Sequence, residues 1–276
     1  MTMRVETMSV DWSFLRNPPP TALAAACALA HRAAQWPARA ARANLAPVPD
    51  DSHSSFEWDA GRMALVTQPL KDKVRVGLRV GVLELVFAKG AHTEAFSLAQ
   101  ASDADAGHWL DDKLATEGLQ PASGVQLPYD MPPALFARAP AEAPRLAALG
   151  GWFAAAAQVL EAQRKRHRRY APGPVRCWPH HFDIAVQFGL GAGAAIAVGL
   201  SPGDAYFAQP YFYLSPYPPP AADELPPLPP GGRWHTRGFF GAVATAVELL
   251  AQPDPRAALL QVLEAAFEES RRRLQG

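Results

Sequence analysis

Between Val74 and Val80 every second residue is aliphatic: Val74, Val76, Leu78 and Val80 alternate with Arg75, Gly77 and Arg79. Successive side chains on a strand point to opposite faces, so this segment belongs in a sheet with one face on a core and one left polar. That is the habit of antiparallel sheets, because parallel strands are covered on both faces and read as continuous apolar runs. Phe56 to Val66, Val82 to Phe87 and Thr93 to Leu98 read as its partners, with turns at Lys71-Asp72, Gly81 and Lys89-Gly90. A second cluster comes later: Val175 to Phe188, Ala194 to Leu200 and Pro210 to Ser215. It is punctuated by Gly189 to Gly193 and by Ser201-Pro202-Gly203-Asp204.

Helical periods flank both clusters. Thr21 can cap a helix that Pro37 stops at about Trp36, and Ala38 to Ser55 reads as linker. Ser102 caps a helix to Glu117, with Gly118 just beyond, and Glu142 to Arg169 is a long helix. Gly238 to Leu250, with Thr236 as N-cap, and Pro255 to Leu274 read as the last two. The expected fold class is α+β. Two largely antiparallel strand clusters, about residues 56–98 and 175–215, pack against helices in a single domain over 21–276, behind a flexible lead-in at 1–20. The order helix, strands, helix occurs twice, in about 21–135 and 140–276, with no residue-level repeat.

Composition removes several functions. Lys plus Arg and Asp plus Glu both total 26, so no net charge draws the chain to nucleic acid or anionic lipid. The basic runs Arg164 to Arg169 and Arg271 to Arg273 fall at helix C-termini, where cations offset the helix dipole. The apolar runs Thr21 to Leu29 and Phe188 to Leu200 are shorter than the about 20 residues a membrane span needs, and no export signal is visible. Two cysteines, Cys27 and Cys177, cannot build a disulfide framework, which points to a reducing, cytoplasmic compartment. The Ala-, Arg- and Pro-rich composition suggests a GC-rich bacterial genome. No Gly-rich phosphate loop opens a helix and no serine elbow is present, so neither a nucleotide cofactor nor that hydrolase mechanism is supported.

The polar residues converge in the second cluster. In a strand beginning near His181, Phe182, Ile184, Val186 and Phe188 face the core, leaving His181, Asp183, Ala185 and Gln187 on the other side. The same rule puts Ala195, Ala197 and Gly199, and then Tyr211, Tyr213 and Ser215, on that second face. If the strands are neighbours in chain order, small residues floor a trough with ionisable walls, a form suited to a small-molecule ligand. Trp178, His180, Asp204 and Trp234 are further candidate ligand contacts. His181, Asp183 and His235 are candidate catalytic residues. As two histidines and a carboxylate they are also a candidate set for zinc or iron. A metal site, a metal-free ligand site and a structural network in which Asp183 fixes a histidine tautomer all remain open.

Trp178-Pro179-His180-His181-Phe182-Asp183, Ser201-Pro202-Gly203-Asp204, Pro210-Tyr211-Phe212-Tyr213 and Trp234-His235-Thr236 occur in that order. Together they resemble an uncharacterised bacterial family catalogued as domain of unknown function 5996, over residues 175–245. Trp12 and the helix ending at Trp36 match the family's start, while Tyr217 and Phe239-Phe240 are conservative departures. The resemblance implies that the four motifs form one unit on a shared fold, and it brings no activity or cofactor. The expected function is a small-molecule-binding protein or a metal-assisted enzyme. The alternative is a non-catalytic interaction module that uses the Pro-rich loop 216–232.

Overall fold

In the computed structural model of the protein, which describes residues 11–275, the alternating segments pair into one antiparallel sheet. Its strands are β1 Phe56–Asp59, β2 Ala64–Thr67, β3 Val74–Arg79, β4 Glu84–Lys89, β5 His92–Ser97, β6 Arg176–Trp178, β7 Asp183–Gly191, β8 Ala194–Ser201, β9 Tyr211–Tyr217, β10 Arg233–His235 and β11 Gly241–Thr245. They lie in the order β10-β11-β9-β8-β7-β6-β1-β2-β3-β4-β5. The meanders β1 to β5 and β6 to β9 therefore run outward from the middle, the second extended by β11 and then β10, and they meet where β1 pairs with β6, Phe56 opposite Cys177. The two strand clusters are halves of one sheet, and the fold is α+β.

Five helices complete the described residues: α1 Ala24–Asn44, α2 Asp103–Thr116, α3 Ala139–Arg166, α4 Ala246–Leu250 and α5 Pro255–Gln275. Their apolar faces close over one sheet face. Val74, Val76 and Leu78 of β3 share a single core with Ile184, Val186 and Phe188 of β7, and with Trp152 and Phe153 of α3. The other face carries Glu57, Arg75 and Gln187, with a small separate apolar cluster of Ala64, Val66 and Val86. One crossing is unusually close. A Cβ on Gly150 of α3 would stand 2.9 Å from the Gly81 Cα, so the turn between β3 and β4 rests directly on the helix backbone. No helix among the described residues is long and apolar enough to cross a membrane.

Several sequence expectations are corrected. Helix α1 does not stop at Pro37 but runs through it to Asn44, and Leu23, not Thr21, is its N-cap. Proline costs about 3 kcal/mol inside a helix. Here Trp36, Ala38, Ala40 and Ala41 are all buried, and packing of that face outweighs the local penalty. Residues 11–20, expected as part of a flexible lead-in, are packed instead. A 3-10 turn at Trp12–Arg16 buries Trp12 and Leu15, with Trp12 edge-on to Trp152 at 6.0 Å, while residues 1–10 lie outside the described residues. The stretch Phe56 to Val66 folds back as the β1–β2 hairpin, with Asp59 opposite Ala64. Likewise Val175 to Phe188 breaks into β6 and β7 around a turn.

The largest correction concerns the C-terminal third. Gly238 to Leu250 is not a helix capped by Thr236. Strand β11 pairs with both β9 and β10, and only then does Thr245, in a capping box with Glu248, start the short α4. Gly241 permits the pairing, since a Cβ there would meet the Leu214 carbonyl oxygen at 2.4 Å.

Candidate functional site

The trough follows from register. Ala185 lies opposite Gly199 and Gln187 opposite Ala197. Gly199 in turn lies opposite Tyr213, and Ala197 opposite Ser215. Phe182, Ile184, Val186 and Phe188 are buried in the core, as the period-2 reading expects. Their alternates line a groove of about 520 Å³ on the other face, walled by Arg176, Trp178, His180, His181, Asp183 and Tyr213 over a floor that includes Ala185 and Ala197.

Gly199 is what lets the polar groups meet. The Tyr213 ring lies across it to donate a hydrogen bond to Asp183 Oδ2 at 2.5 Å. A Cβ at residue 199 would stand 2.5 Å from the Tyr213 hydroxyl oxygen and 2.8 Å from the Ile184 carbonyl oxygen. Asp183 Oδ1 is buried and has no hydrogen-bond partner, the one carboxylate oxygen so placed among the described residues. Burial raises the Asp183 pKa above the ordinary carboxylate value, with the Tyr213 hydrogen bond and the nearby His181 opposing it in part. Burial likewise pushes the Tyr213 phenol well above its usual value, and the neighbouring Asp183 adds to the effect.

This shift has a sign that can be tested. A carboxyl with a raised native pKa binds its proton more tightly folded than unfolded, so its stabilising effect is complete below the unfolded value and is lost as pH rises through the native one. Asp183→Asn should abolish that loss. In denaturant titrations from about pH 3 to 7 the wild type is expected to fall steadily behind the variant. A constant difference across that range would place the destabilising proton release elsewhere.

The histidines sit in the turn between β6 and β7, not on the strand. Phe182 takes a left-handed conformation (φ 56°), and its N–H donates to the Trp178 carbonyl at 2.7 Å. Helix α1 holds this turn. The Pro179 carbonyl accepts from Gln35 Nε2 at 3.0 Å and meets His31 Nε2 at 2.9 Å, and the His31 ring stacks on Phe182. Because the turn replaces strand alternation, His180 and His181 both line the groove, with ring centroids 4.3 Å apart. His180 is half-buried between Tyr129 and Trp178, and burial lowers its pKa. His181 is exposed at the mouth.

Arg176 is a wall residue that the sequence reading missed. It lies two residues before Trp178 on the same face, and Nη1 donates to the Ser52 carbonyl at 2.8 Å and to Ser55 Oγ at 2.9 Å. These contacts bring Asp50 and Ser52 to the groove from the far half of the chain. Period 2 extended back from Trp178 would have found Arg176; nothing local announces Asp50 or Ser52.

The remaining candidates lie elsewhere. Asp204 organises its own loop. Its carboxylate accepts from the Tyr206 and Phe207 amides at 2.8 and 3.2 Å and from the buried Tyr211 hydroxyl at 2.6 Å. His235 and Trp234 are on β10, the outermost strand of this half. Strands β8, β9 and β11 intervene, which at about 4.8 Å per step puts β10 about 19 Å from β7. The His235 ring is packed among Tyr206, Phe207 and Phe239, and its Nε2 meets the Arg237 carbonyl at 2.6 Å. The expected ligand set of His181, Asp183 and His235 is therefore not assembled. Among the described residues no group of three or more His, Cys, Asp or Glu side chains could hold a metal ion.

No family model matches the chain, and neither do the curated proteins or the solved structures with which it was compared. Function has to be read from the chemistry of the surfaces themselves. Within the basic run of α3, Arg164 pairs with Glu161 and Arg166 with Glu264 of α5. The Pro-rich loop is held by its own chain: Trp234 Nε1 donates to the Pro226 carbonyl at 2.8 Å, and Arg273 donates to the carbonyls of Ala221 and Glu224. A larger cleft, about 670 Å³, includes Phe14, Met63, Val82 and the Gly150-Gly151 step of α3. Its two arginines, Arg62 and Arg79, are already paired with Asp59 and Glu84, so it offers an apolar surface without an unmet polar group of the Asp183 kind.

Proposed function

We propose that the protein binds a small polar molecule in the groove between β6 and β9, with Asp183 as its anchor. The observation that carries this reading is the buried Asp183 Oδ1 without a hydrogen-bond partner, on a residue that lines the groove. Leaving a buried polar atom unsatisfied costs about 1–3 kcal/mol, more for a charged group, and a ligand donor at Asp183 Oδ1 would remove that cost. The volume is that of a small-molecule site, and the mixture of aromatic walls with a few converging polar groups is typical of one. Where binding leads to reaction, the proton carrier is His181, a histidine exposed at the mouth. Membership of the family that the four motifs resemble is part of the proposal. So is a reducing bacterial cytoplasm, which the free Cys27 and the buried, free Cys177 support.

Asp183→Asn tests the reading while preserving shape, because the amide oxygen can still accept from Tyr213. A metabolite-mixture screen by ligand-observed NMR should show binding to the wild type that falls by about tenfold or more in the variant, the equivalent of one charged hydrogen bond. Circular dichroism should be unchanged. Binding that survives in full would remove Asp183 from the site, and loss of fold in the variant would make the Asp183–Tyr213 pair structural.

A further inference from the structure

The groove has a second unmet group, and it bears the opposite charge. Arg176 faces the groove from β6, one strand from Asp183. Trp178 is the direct cross-strand partner of Asp183 and Arg176 that of Ala185, which makes Arg176 and Asp183 diagonal neighbours on one face. Such positions are about 7–8 Å apart at Cα, within reach of one small ligand. The Arg176 guanidinium spends Nη1 on two neutral acceptors, the Ser52 carbonyl and Ser55 Oγ. Among the described residues no carboxylate lies within ion-pair distance of it, in contrast to Arg62, Arg75 and Arg79 on the other half of the sheet. Asp50, the acid that shares the groove, is held by the Ser52 amide at 3.1 Å and feels Arg176 only as its weakest influence.

Resting on the reading of the groove as a small-molecule site, we infer that its ligand is an amino acid or a similarly small zwitterion, with its amine on Asp183 Oδ1 and its carboxylate on Arg176. Each charge in the wall lacks the complement that such a ligand carries. A carboxylate with Oδ2 occupied by Tyr213 has one oxygen left for an N–H donor. A guanidinium with Nη2 and Nε free among the described residues has a fork left for a carboxylate, the geometry in which arginine recognises that group best. Trp178, next to Arg176 on this face of β6 and directly opposite Asp183, supplies a flat apolar surface for the ligand's side chain. His180 does not compete for Asp183 as a cation near neutral pH, because burial lowers its pKa.

The test uses four probes on one skeleton: phenylalanine, phenethylamine, hydrocinnamate and neutral phenethyl alcohol. Each is titrated into isotope-labelled full-length protein and followed by backbone amide shifts. Phenylalanine is expected to bind at least about tenfold more tightly than either singly charged analogue, which corresponds to about 1.4 kcal/mol. Its advantage over hydrocinnamate should vanish in Asp183→Asn, and its advantage over phenethylamine should vanish in Arg176→Gln. Arg176→Lys, which keeps the charge and guards against a folding defect in the glutamine variant, should retain part of it. An amine or an acid that binds as tightly as phenylalanine overturns the inference, as does an advantage that survives both substitutions. If phenethyl alcohol moves groove amides as strongly as phenylalanine, the zwitterion class falls and the groove stands. If no probe, the neutral one included, moves them, both fall.

Discussion

Gly199→Ala is expected to destabilise the protein by about 3 kcal/mol, a methyl-sized change with a core-sized effect. The added Cβ would overlap the Tyr213 phenol and the Ile184 carbonyl, and the carbonyl cannot move without disturbing the β7–β8 pairing. The ring must therefore leave, and its departure strips Asp183 Oδ2 of its donor in a buried setting. Two costs add: overpacking, and a carboxylate left without hydrogen bonds. The mechanism makes a sharper claim than the magnitude. Once residue 199 is Ala, Tyr213→Phe should cost far less than it does in the wild type, because the hydrogen bond it removes is already gone. Denaturant unfolding of the four proteins in this double-mutant cycle measures the coupling. Additive losses would mean that Tyr213 and Gly199 act independently, and the description of the trough floor would be wrong.

Phe182→Ala is expected to cost about 3–5 kcal/mol, the range for deleting a buried phenyl ring. Phe182 is 1% exposed, packs on Phe153 at 5.1 Å and stacks with His31 at 5.2 Å. Its backbone is left-handed, which adds a second, opposite effect. Glycine ordinarily destabilises relative to alanine, but at a positive φ it relieves about 1 kcal/mol of strain. Phe182→Gly should therefore be more stable than Phe182→Ala, a reversal of the usual order that thermal melts of the pair can resolve. The usual order, Ala above Gly, would mean that the turn carrying His180 and His181 is not held in this conformation in solution.

What the chain reveals before folding depends on how far apart the deciding contacts lie. The alternation in Val74 to Val80 and in Phe182 to Phe188 is local, so the sheet, its buried face and the Asp183 face can be read directly from residue order. The residue types on β8 carried information as well: Gly199 leaves the space that the Tyr213 ring occupies, and Ala197 keeps the groove floor low. Gly241 to Thr245 was illegible for the opposite reason. Alanine and valine suit either a helix or a strand, and the choice is made by the neighbouring strand β9. That single ambiguity misplaced His235 from an outer strand to a loop beside His181, and the metal hypothesis rested on it. Pro37 misled in the same way, since the buried alanines around it are decided by packing rather than by local preference. Asp50 and Ser52 reach the groove because β1 pairs with β6 and Arg176 bonds the segment just before β1, contacts that no local pattern encodes.

The most direct test of the account is a crystal structure of the protein soaked with the best-binding molecule from the screen. The groove reading requires density between β6 and β9, with a ligand donor within hydrogen-bond distance of Asp183 Oδ1 and the Tyr213 hydrogen bond to Oδ2 intact. A ligand seated instead in the apolar cleft beside Phe14 and Met63, with Asp183 Oδ1 satisfied by an ordered water alone, would contradict it.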